Sequence, residues 1–263
     1  MELSPDGTFN EFGNYRIGGV KSEGSEIKVA FIEPAGSMTG KLLPTGNKKD
    51  TITVSAIPAL STFSVTASLV DAANPFIFVN STSLPLSYHL LDTSAPESLE
   101  IVESIRREGS VMCGLAKDIN SAAAVRGVPK IAVLSPSIDS GDKATGQRIH
   151  VQSYSMGKPH PSFQLTGAVC LGAAMCVEGT VAHDISNSHV FPTPPGTPPN
   201  EIEPTVTLID GFKEEKARIK YSSGEMDVLV QTSKENDAET KIERVSVSRT
   251  ARRLFEGKVY YIS

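Results

Sequence analysis

Alternating apolar and polar positions along the first ninety residues predict β-strands. The segment SEIKVAFIEP (25–34) alternates at its centre with the period of a strand. Two later segments carry the β-branched and aromatic residues that strands favour: TITVSAI (51–57) and FSVTASLVDAANPFIFV (63–79). Asn74 stands before Pro75, which disfavours helical backbone and predicts a turn inside the longer segment. This part of the chain is therefore expected to be β structure joined by turns.

An amphipathic helix is predicted after residue 94. Ser94 is the expected N-cap, Pro96 suits the first helical turn, and Glu97 completes a capping box. The apolar positions that follow recur at helical spacing and form one stripe: Leu99, Ile101, Val102 and Ile105. The pattern predicts that this helix runs to about Gly109.

More strands are predicted on both sides of a second helix that is wholly apolar. The candidate strands are PKIAVLSPS (129–137), RIHVQSYSM (148–156), ARIKYS (217–222), MDVLVQT (226–232) and KIERVSVSRT (241–250). Residues 168–177 carry no charge and predict a helix that other elements have to surround, because it is apolar on every side. The proline-rich stretch 191–204 is expected to be an extended surface loop. We therefore predict an α+β fold in which a strongly curved sheet wraps around a central apolar helix.

Composition indicates a globular protein. The chain has 263 residues, of which 39% are hydrophobic and 21% charged, and this fits one or two domains without a disordered region. The net charge of −5 argues against nucleic acid as a partner, because a phosphate-binding surface needs many lysines and arginines on one face. The first residues lack the features of a signal peptide, and the apolar runs fall short of the roughly 20 residues of a membrane helix. We expect a cytoplasmic protein with no nucleic-acid or membrane partner.

The spacing of cysteine and histidine indicates neither a disulfide framework nor a metal site. The three cysteines, Cys113, Cys170 and Cys176, stand in apolar surroundings and in no zinc-binding spacing. The two cysteines of the apolar helix are expected to be core residues, since neither lies in its first turn, where a thiol pKa is lowered. We predict no metal, and a reducing compartment.

The segment SMGKPHPSFQLTGAVC (155–170) leads a polar loop directly onto the apolar helix, and it is a candidate binding site. Thr166 is predicted to cap the helix, and Gly167 to leave the first backbone amides open to a ligand. These amides and the positive end of the helix dipole favour a bound anion, and Lys158 and His160 can add donors to a carboxylate. The alternative is a buried helix with an ordinary cap, and the residues alone leave both interpretations open.

Lys130 is a second candidate. It lies between Pro129 and an apolar predicted strand, where a long cationic side chain either reaches the surface or points into a site. The pattern alone favours the surface, so Lys130 becomes a binding residue only if other features place it at a site.

Seven segments, taken in order, resemble the 2-methylaconitate cis-trans isomerase (PrpF-like) family, and the resemblance covers nearly the full chain. The segments are PAGSMTGKLLPTGN (34–47), VDAANPFIFV (70–79), VMCGLA (111–116), VPKIAVLSP (128–136), SMGKPHPSFQLTGAVC (155–170), EGTVA (178–182) and RTARRLFEG (249–257). The resemblance implies a diaminopimelate-epimerase-like fold, with curved sheets around central helices and a cleft where helix N-termini face each other.

The resemblance also implies an activity. Members rearrange the double bond of small unsaturated di- or tricarboxylates of the methylaconitate, aconitate, methylitaconate or oxalomesaconate type, without a cofactor. The motifs imply substrate contacts at Lys130, Ser155, Met156, Gly157 and His160. Thr166 and Gly167 are added to this set from the anion-site argument above. A small polycarboxylate is thus the expected partner, and a homodimer is one expected assembly.

One departure from the family pattern affects the predicted organisation. Family members are longer at the N-terminus, where they carry an N-R-G-like loop, a Gly/Ser-rich segment ending in a lysine that is the proposed base, and an N-C-G-N-like segment. None of these motifs occurs in this sequence. We therefore expect residues 1–50 to be the tail of a first domain and residues 51–263 to form the second domain. The catalytic base is expected to lie in the missing part, so no residue here is predicted to be catalytic.

Two functional interpretations follow. The first is an isomerase of unsaturated polycarboxylates, represented by a truncated chain. The second is a catalytically inactive remnant that binds carboxylates or associates with a relative, since half of a cleft can still hold an anion. A purely structural module is disfavoured, because Lys130, Ser155 and His160 all fall on the family's site motifs.

Overall fold

The computed structural model describes residues 5–10, 12–58, 60–137, 147–187, 206–209, 211–235, 239–251, 257–258 and 260. The first strands and helices are β1 (Ile27–Ile32), β2 (Asp50–Val54), β3 (Phe63–Ala72), β4 (Asn74–Asn80), α1 (Leu86–Leu90), α2 (Pro96–Met112) and α3 (Ile119–Ala124). Next come β5 (Lys130–Ser135), β6 (Gln147–Ser155), β7 (Lys158–Pro159), α4 (Leu165–Met175) and α5 (Val181–Asn187). The last are β8 (Val206–Ile209), β9 (Phe212–Tyr221), β10 (Gly224–Glu235) and β11 (Glu239–Arg249).

The strands of the described residues form one mixed sheet in the order β1-β11-β10-β9-β6-β5-β4-β3-β2, with β7 on β6 and β8 on β9. Most neighbours are antiparallel, but β4 pairs with β5, and β6 with β9, in parallel. The predicted strands are confirmed, with ends shifted by a few residues. The long segment 63–79 is a hairpin of β3 and β4, and Ala73 at its tip has a φ of 61°.

The sheet buries a different helix on each face. Phe76 and Phe78 of β4 pack in the cluster that surrounds α4, whereas Ile77 and Val79, the alternate residues, pack in the cluster that contains α2. The α4 cluster also draws residues from β3, β5, β6, β9, β10 and β11. The prediction of a curved sheet around a central apolar helix is therefore confirmed, because a helix without a polar face has to be covered on all sides.

The interior of α4 is packed too closely for larger side chains at some positions. A Cβ atom at Gly172 would lie 2.7 Å from Cγ1 of Val228 and 3.2 Å from Cγ2 of Val230. Ala168, Ala173 and Ala174 are fully buried as well. Small residues let strands of the sheet approach the helix backbone, and the helix thereby acquires a defined position.

The N-cap predicted for the amphipathic helix is wrong. The N-cap of α2 is Ala95, and no side chain caps the helix. The backbone N–H of Ser94 donates to Asp92 Oδ1 at 2.7 Å, and its hydroxyl donates to the same oxygen, so Ser94 stabilises the preceding turn. The helix also continues past Gly109 to Met112. Gly109 is accommodated because Ile77 packs against it, 2.4 Å from where a Cβ atom would lie.

The connection between β1 and β2 is anchored on a buried carboxylate. Asp71 near the end of β3 accepts hydrogen bonds from the Ser37 hydroxyl at 2.5 Å, from the backbone N–H groups of Met38 and Thr39 at 2.8 and 2.7 Å, and from the Thr39 hydroxyl at 2.9 Å. These bonds hold the connection against the hairpin that carries Asn74.

The predicted loop 191–204 lies outside the described residues. The domain boundary at residue 50 stays a prediction. The structure adds only that β1 is hydrogen-bonded to β11 in the common sheet.

Candidate functional site

One end of the sheet brings together several of the residues singled out in the sequence. Phe76 of β4 pairs with Lys130, the first residue of β5. Ile131 pairs with Tyr154 in the antiparallel pair β5–β6, so Lys130 and Ser155 lie side by side at the same end. Because side chains alternate along a strand, Lys130 and Ser155 belong to the face that packs on α4.

A tight hairpin extends β6 beyond this end of the sheet. Ser155 pairs with Lys158 across a two-residue loop of Met156 and Gly157, whose φ values are 53° and 76°. Positive φ at both central positions is characteristic of a type I′ turn, which is compatible with the twist of a hairpin. Met156 tolerates this conformation although it is not a glycine, and its side chain is 61% exposed.

The ammonium group of Lys130 is partly buried and has no hydrogen-bond or ion-pair partner within the described part of the chain. Burial lowers the pKa of Lys130, and no neighbouring carboxylate raises it. An ammonium group on an open surface would keep its water shell, and its pKa would not be lowered by burial. Lys130 is therefore a partly buried cation without a partner among the described residues, and its place in a binding site stays a prediction.

His160 is held by the loop that leads from β7 to α4. Its backbone N–H donates to Ser153 O at 2.9 Å, and its Nδ1 atom lies 2.5 Å from Ser162 O. A proton on Nδ1 satisfies that carbonyl. The Nε2 atom makes no hydrogen bond to any described residue, so it can accept a proton when the ring is neutral and donate one when the ring is charged.

Helix α4 begins two residues earlier than predicted, and Thr166 does not cap it. The N-cap is Gln164, in extended backbone with φ −65° and ψ 148°, and its side chain makes no capping hydrogen bond. The first intrahelical bond runs from Ala168 N–H to Gln164 O at 2.9 Å. The N–H groups of Leu165, Thr166 and Gly167 therefore have no acceptor within the helix, as the sequence argument for an anion requires.

The missing side chain of Gly167 serves the packing of the core, and the predicted contact of Gly167 with a ligand stays a prediction. A Cβ atom at this position would lie 2.8 Å from Cζ of Phe76 and 2.9 Å from Cε2 of Phe163. The residue is buried against these two aromatic rings, so the missing side chain makes room for their packing. The two rings meet edge to face, with their centroids 6.1 Å apart.

Two amide side chains at this end were missed by the sequence analysis. Both polar atoms of the Gln164 amide are buried and have no hydrogen-bond partner among the described residues, and the same is true of Asn74 Nδ2. Asn74 lies two residues before Phe76, on the same face of β4. Buried amides without partners cost free energy, so such atoms call for a ligand or water. The sequence signal at Asn74 was assigned to the turn before Pro75.

The cysteines are not part of this group. All three are free thiols. Burial raises the pKa of Cys113 to about 12, and burial likewise raises the pKa of Cys170 and Cys176. The expectation that the cysteines of the apolar helix are core residues is confirmed for Cys170, which is fully buried, and Cys176 lies just beyond the end of α4, partly exposed.

Two further properties bear on what the site can bind. The described residues contain no group of three or more His, Cys, Asp or Glu side chains suited to a metal ion. None of the helices that the structure describes is long and apolar enough to cross a membrane.

Together these features define a class of α+β protein: one curved sheet around an apolar helix, with an unpaired lysine and two unpaired amides near the helix N-terminus. The chain belongs to the PrpF protein family, whose model matches residues 3–193 and 199–262. The recognition made from the seven sequence segments is therefore confirmed.

Relatives of known name support this membership. A 2-methyl-aconitate isomerase of Shewanella oneidensis is 29% identical over 97% of this chain and 60% of its own length. A 3-methylitaconate isomerase of Eubacterium barkeri is 27% identical over 97% of this chain and 61% of its own. A crystal structure of methylitaconate-delta-isomerase superposes with a TM-score of 0.67 at 24% identity, covering 97% of this chain and 60% of that one, and shows the same fold. The chain thus spans about 60% of the length of the curated relatives it matches.

Proposed function

We propose that this protein moves or isomerises the C=C bond of a small unsaturated di- or tricarboxylate by cofactor-independent proton abstraction and return. The expected substrates are of the methylaconitate, aconitate, methylitaconate or oxalomesaconate type. The names of the two relatives support this class, since both are isomerases of such acids. The structural observation that carries the proposal is the unpaired, partly buried ammonium group of Lys130 beside Ser155.

The chemistry explains why such a group is useful. Removal of a proton next to a conjugated carboxylate leaves an anion whose charge spreads onto the carboxylate oxygens. A cation and free backbone N–H groups that are already in place stabilise this charge without reorganisation. In this proposal Lys130 provides the cation, and the first turn of α4 provides the N–H groups and the positive end of its dipole.

The other residues of the site orient the acid. The Ser155 hydroxyl makes no hydrogen bond to a described residue and can donate to a carboxylate oxygen. His160 can donate from Nε2 when its ring is protonated, and Gln164 and Asn74 offer buried amide hydrogens. The turn of Met156 and Gly157 forms the wall next to them. We assign no catalytic base among the described residues, because the groups gathered here bind and stabilise an anion.

The test is hydrogen exchange in D2O. If this chain supplies its own base, cis-aconitate or a methylaconitate acquires deuterium when incubated with it, as followed by proton NMR. Lys130→Ala should reduce this exchange at least tenfold, the loss expected for a hydrogen bond to a charged group. Lys117→Ala, which removes an exposed lysine after α2, is the matched control and should exchange at the original rate.

Each other outcome decides between interpretations. Binding of the acid without exchange would contradict the isomerase proposal for this chain and support the carboxylate-binding remnant. Neither binding nor exchange would overturn both.

We also propose a cytoplasmic location, a homodimeric assembly and the division of the chain at residue 50. The three free thiols support a reducing compartment. Light scattering after size exclusion tests the dimer, and a single mass equal to the monomer would contradict it. Limited proteolysis tests the division, because a boundary between two domains should be cut before the sheet is, and protection of the segment before β2 would contradict it.

A further inference from the structure

The last strand of the sheet ends on an arginine that the proposed function does not use. Arg249 is the final residue of β11 and the first residue of the segment RTARRLFEG, to which the family resemblance gave no role. Val247 and Val245, two and four residues before it, pack in the cluster around α4. Because side chains alternate along a strand, Arg249 belongs to the same face of the sheet as these valines.

Arg249 lies at the end of the sheet where α4 begins. It stands across from Met226, near the start of β10. The hairpin that joins β9 to β10 is bound to the loop before α4, since the Ser222 hydroxyl donates to Pro161 O at 2.9 Å. Three strands, β10, β9 and β6, separate β11 from β5, the strand of Lys130. Arg249 is therefore a cation apart from the residues grouped around Lys130.

The guanidinium of Arg249 uses only part of its five N–H donors. Its Nη1 and Nη2 atoms both lie 3.8 Å from the thioether sulfur of Met226, a weak acceptor, and Nη1 also donates to Ser248 O at 3.2 Å. The equal distances place the sulfur in front of the group, between Nη1 and Nη2. The remaining N–H groups, on Nε and on the outer side of Nη2, form one lateral edge. This edge has no hydrogen-bond partner among the described residues.

No described carboxylate neutralises Arg249. Burial lowers the pKa of the guanidinium, and the described groups that act in the opposite direction are the phenols of Tyr221 and Tyr15. Phenols are uncharged at neutral pH, whereas an arginine keeps its charge. The Tyr221 hydroxyl donates to Gly18 O at 3.1 Å, which fixes this ring to the N-terminal segment. Arg249 is thus a half-buried cation that has lost water without gaining an anion.

We propose that the lateral edge of Arg249 binds the carboxylate of a small acid, at a second anion site of this protein. The Nε–H and outer Nη2–H groups are parallel and match the two oxygens of one carboxylate in a bidentate pair. The contacts with Met226 and Ser248 hold the guanidinium before the acid arrives, so less side-chain freedom is lost on binding. The site needs no isomerase activity. Its carboxylate belongs either to a separate acid molecule or to the far end of an acid held at Lys130.

The test observes the arginine directly by NMR. In isotope-labelled protein, the Nε–H signal of Arg249 is identified by its absence from Arg249→Lys. We expect this signal to shift when acetate or trans-aconitate is added, and to stay in place with sodium chloride at the same ionic strength. Lys130→Ala then distinguishes the sources. An unchanged response to trans-aconitate assigns the carboxylate to a separate molecule, and a weakened response assigns it to an acid that reaches both cations.

Substitutions test the bidentate pair. Arg249→Gln should weaken the binding of acetate at this site about tenfold or more, the loss expected for a hydrogen bond to a charged group, as followed by the backbone amide of Met226. Arg249→Lys keeps the charge without the two parallel donors and should recover only part of the affinity. Arg244→Gln, which changes an exposed arginine on the same strand, is the control and should bind acetate normally.

Three results would overturn the proposal. They are an Nε–H signal that neither acid moves, a signal that sodium chloride moves equally, and full acetate binding by Arg249→Gln. None of them affects the deuterium exchange that tests the proposed function, so the two proposals can fail separately. Equal unfolding midpoints confirm that each variant is folded, and the shift itself is measured on the unsubstituted protein.

Discussion

Gly167 of α4 lies directly against the ring of Phe76 on β4, with 2.8 Å between the Phe76 Cζ atom and the position that a Cβ atom on Gly167 would take. Phe76 in turn pairs with Lys130 on the neighbouring strand. The contact between Gly167 and the Phe76 ring therefore fixes the position of the N-terminus of α4 along β5, the strand that carries Lys130. The distance between Lys130 and the first turn of α4 depends on this contact.

Gly167→Ala should destabilise the protein by about 1–3 kcal/mol, the usual cost of overpacking a core, because the Phe76 and Phe163 rings have no room to move aside. Urea denaturation measures this change. Gly127→Ala is the matched control, since a Cβ atom there meets no atom within 4 Å. The double variant Gly167→Ala with Phe76→Leu should recover part of the stability. Equal stability of Gly167→Ala and Gly127→Ala would show that the ring contact is not tight.

Gln164→Leu should separate stability from binding. The buried amide of Gln164 has no partner in the described residues, so replacing it with an apolar side chain of similar size removes a desolvation penalty and should leave the unfolding midpoint unchanged or raise it. The same variant should bind cis-aconitate more weakly, if the amide contacts the ligand. Thermal unfolding with and without the acid measures both effects. A lower midpoint in the free protein would mean that the amide already has a structural role.

The pKa of Lys130 predicts how binding changes with pH. Burial lowers this pKa, so the ammonium group loses its proton at a lower pH than an ordinary lysine, whose pKa is about 10.4. Because only the charged form attracts a carboxylate, the affinity for cis-aconitate should fall as the pH rises towards 10. Lys130→Arg keeps its charge and should show no such fall. A parallel decline in both proteins would assign the effect to another group.

The lowered pKa of Lys130 has the opposite effect on stability: affinity for the acid falls as the pH rises, but the stability of the ligand-free protein increases. Between the folded and the unfolded pKa of Lys130, the unfolded chain binds more protons than the folded one, so the free energy of unfolding rises with pH in that window. Lys130→Met should reduce this rise. Urea denaturation between pH 8 and about 11, in the absence of ligand, measures the difference, and an unchanged slope would contradict the partial burial of Lys130.

Glu103 stabilises the fold through the buried Arg106. Burial raises the pKa of Glu103, but the hydrogen bonds from Arg106 and Arg107 outweigh it, and the pKa lies below its ordinary value. Its contribution to stability is thus complete above an unfolded-state pKa of about 4.3 and is lost as the pH falls through the lower folded-state value. Glu103→Gln should cost about 3 kcal/mol at pH 7, because a buried arginine loses its charged partner.

Denaturation at two pH values tests this assignment. The difference between Glu103→Gln and the unsubstituted protein should shrink well below pH 4.3, where the carboxylate itself becomes protonated. Glu100→Gln on the same helix, whose side chain makes no ion pair with any described residue, is the control and should change little. A difference that stays constant with pH would mean that Glu103 acts by packing and not by charge.

Several elements could be predicted because their signals are local. The strands around the hairpin of β3 and β4 follow from β-branched and aromatic residues, and the body of α2 follows from its apolar stripe. Capping was predicted less well. Thr166 is a better cap than Gln164 by residue type, yet the helix begins after Gln164, because the packing of Phe163 and Gly167 decides where extended backbone ends.

The candidate site was predicted in part. Lys130 and Ser155 were identified through family motifs, and the structure places them side by side. Gln164 and Asn74 were missed because an amide in a sequence gives no indication that its partners will be absent.

The sequence by itself determined the kind of elements and their burial. The uncharged run of α4 requires a surrounding sheet, the alternation along the strands decides which side chains face it, and the seven motifs indicate the family. Only the tertiary structure decided which polar groups meet. Pairing of β5 with β6 puts Lys130 beside Ser155. The packing of Phe76 and Phe163 against Gly167 places the start of α4 at the same end of the sheet. These neighbour relations arise from contacts between segments that are distant in the sequence. The geometry of such contacts depends on how the strands of the whole sheet pair and curve, so no local sequence pattern predicts it.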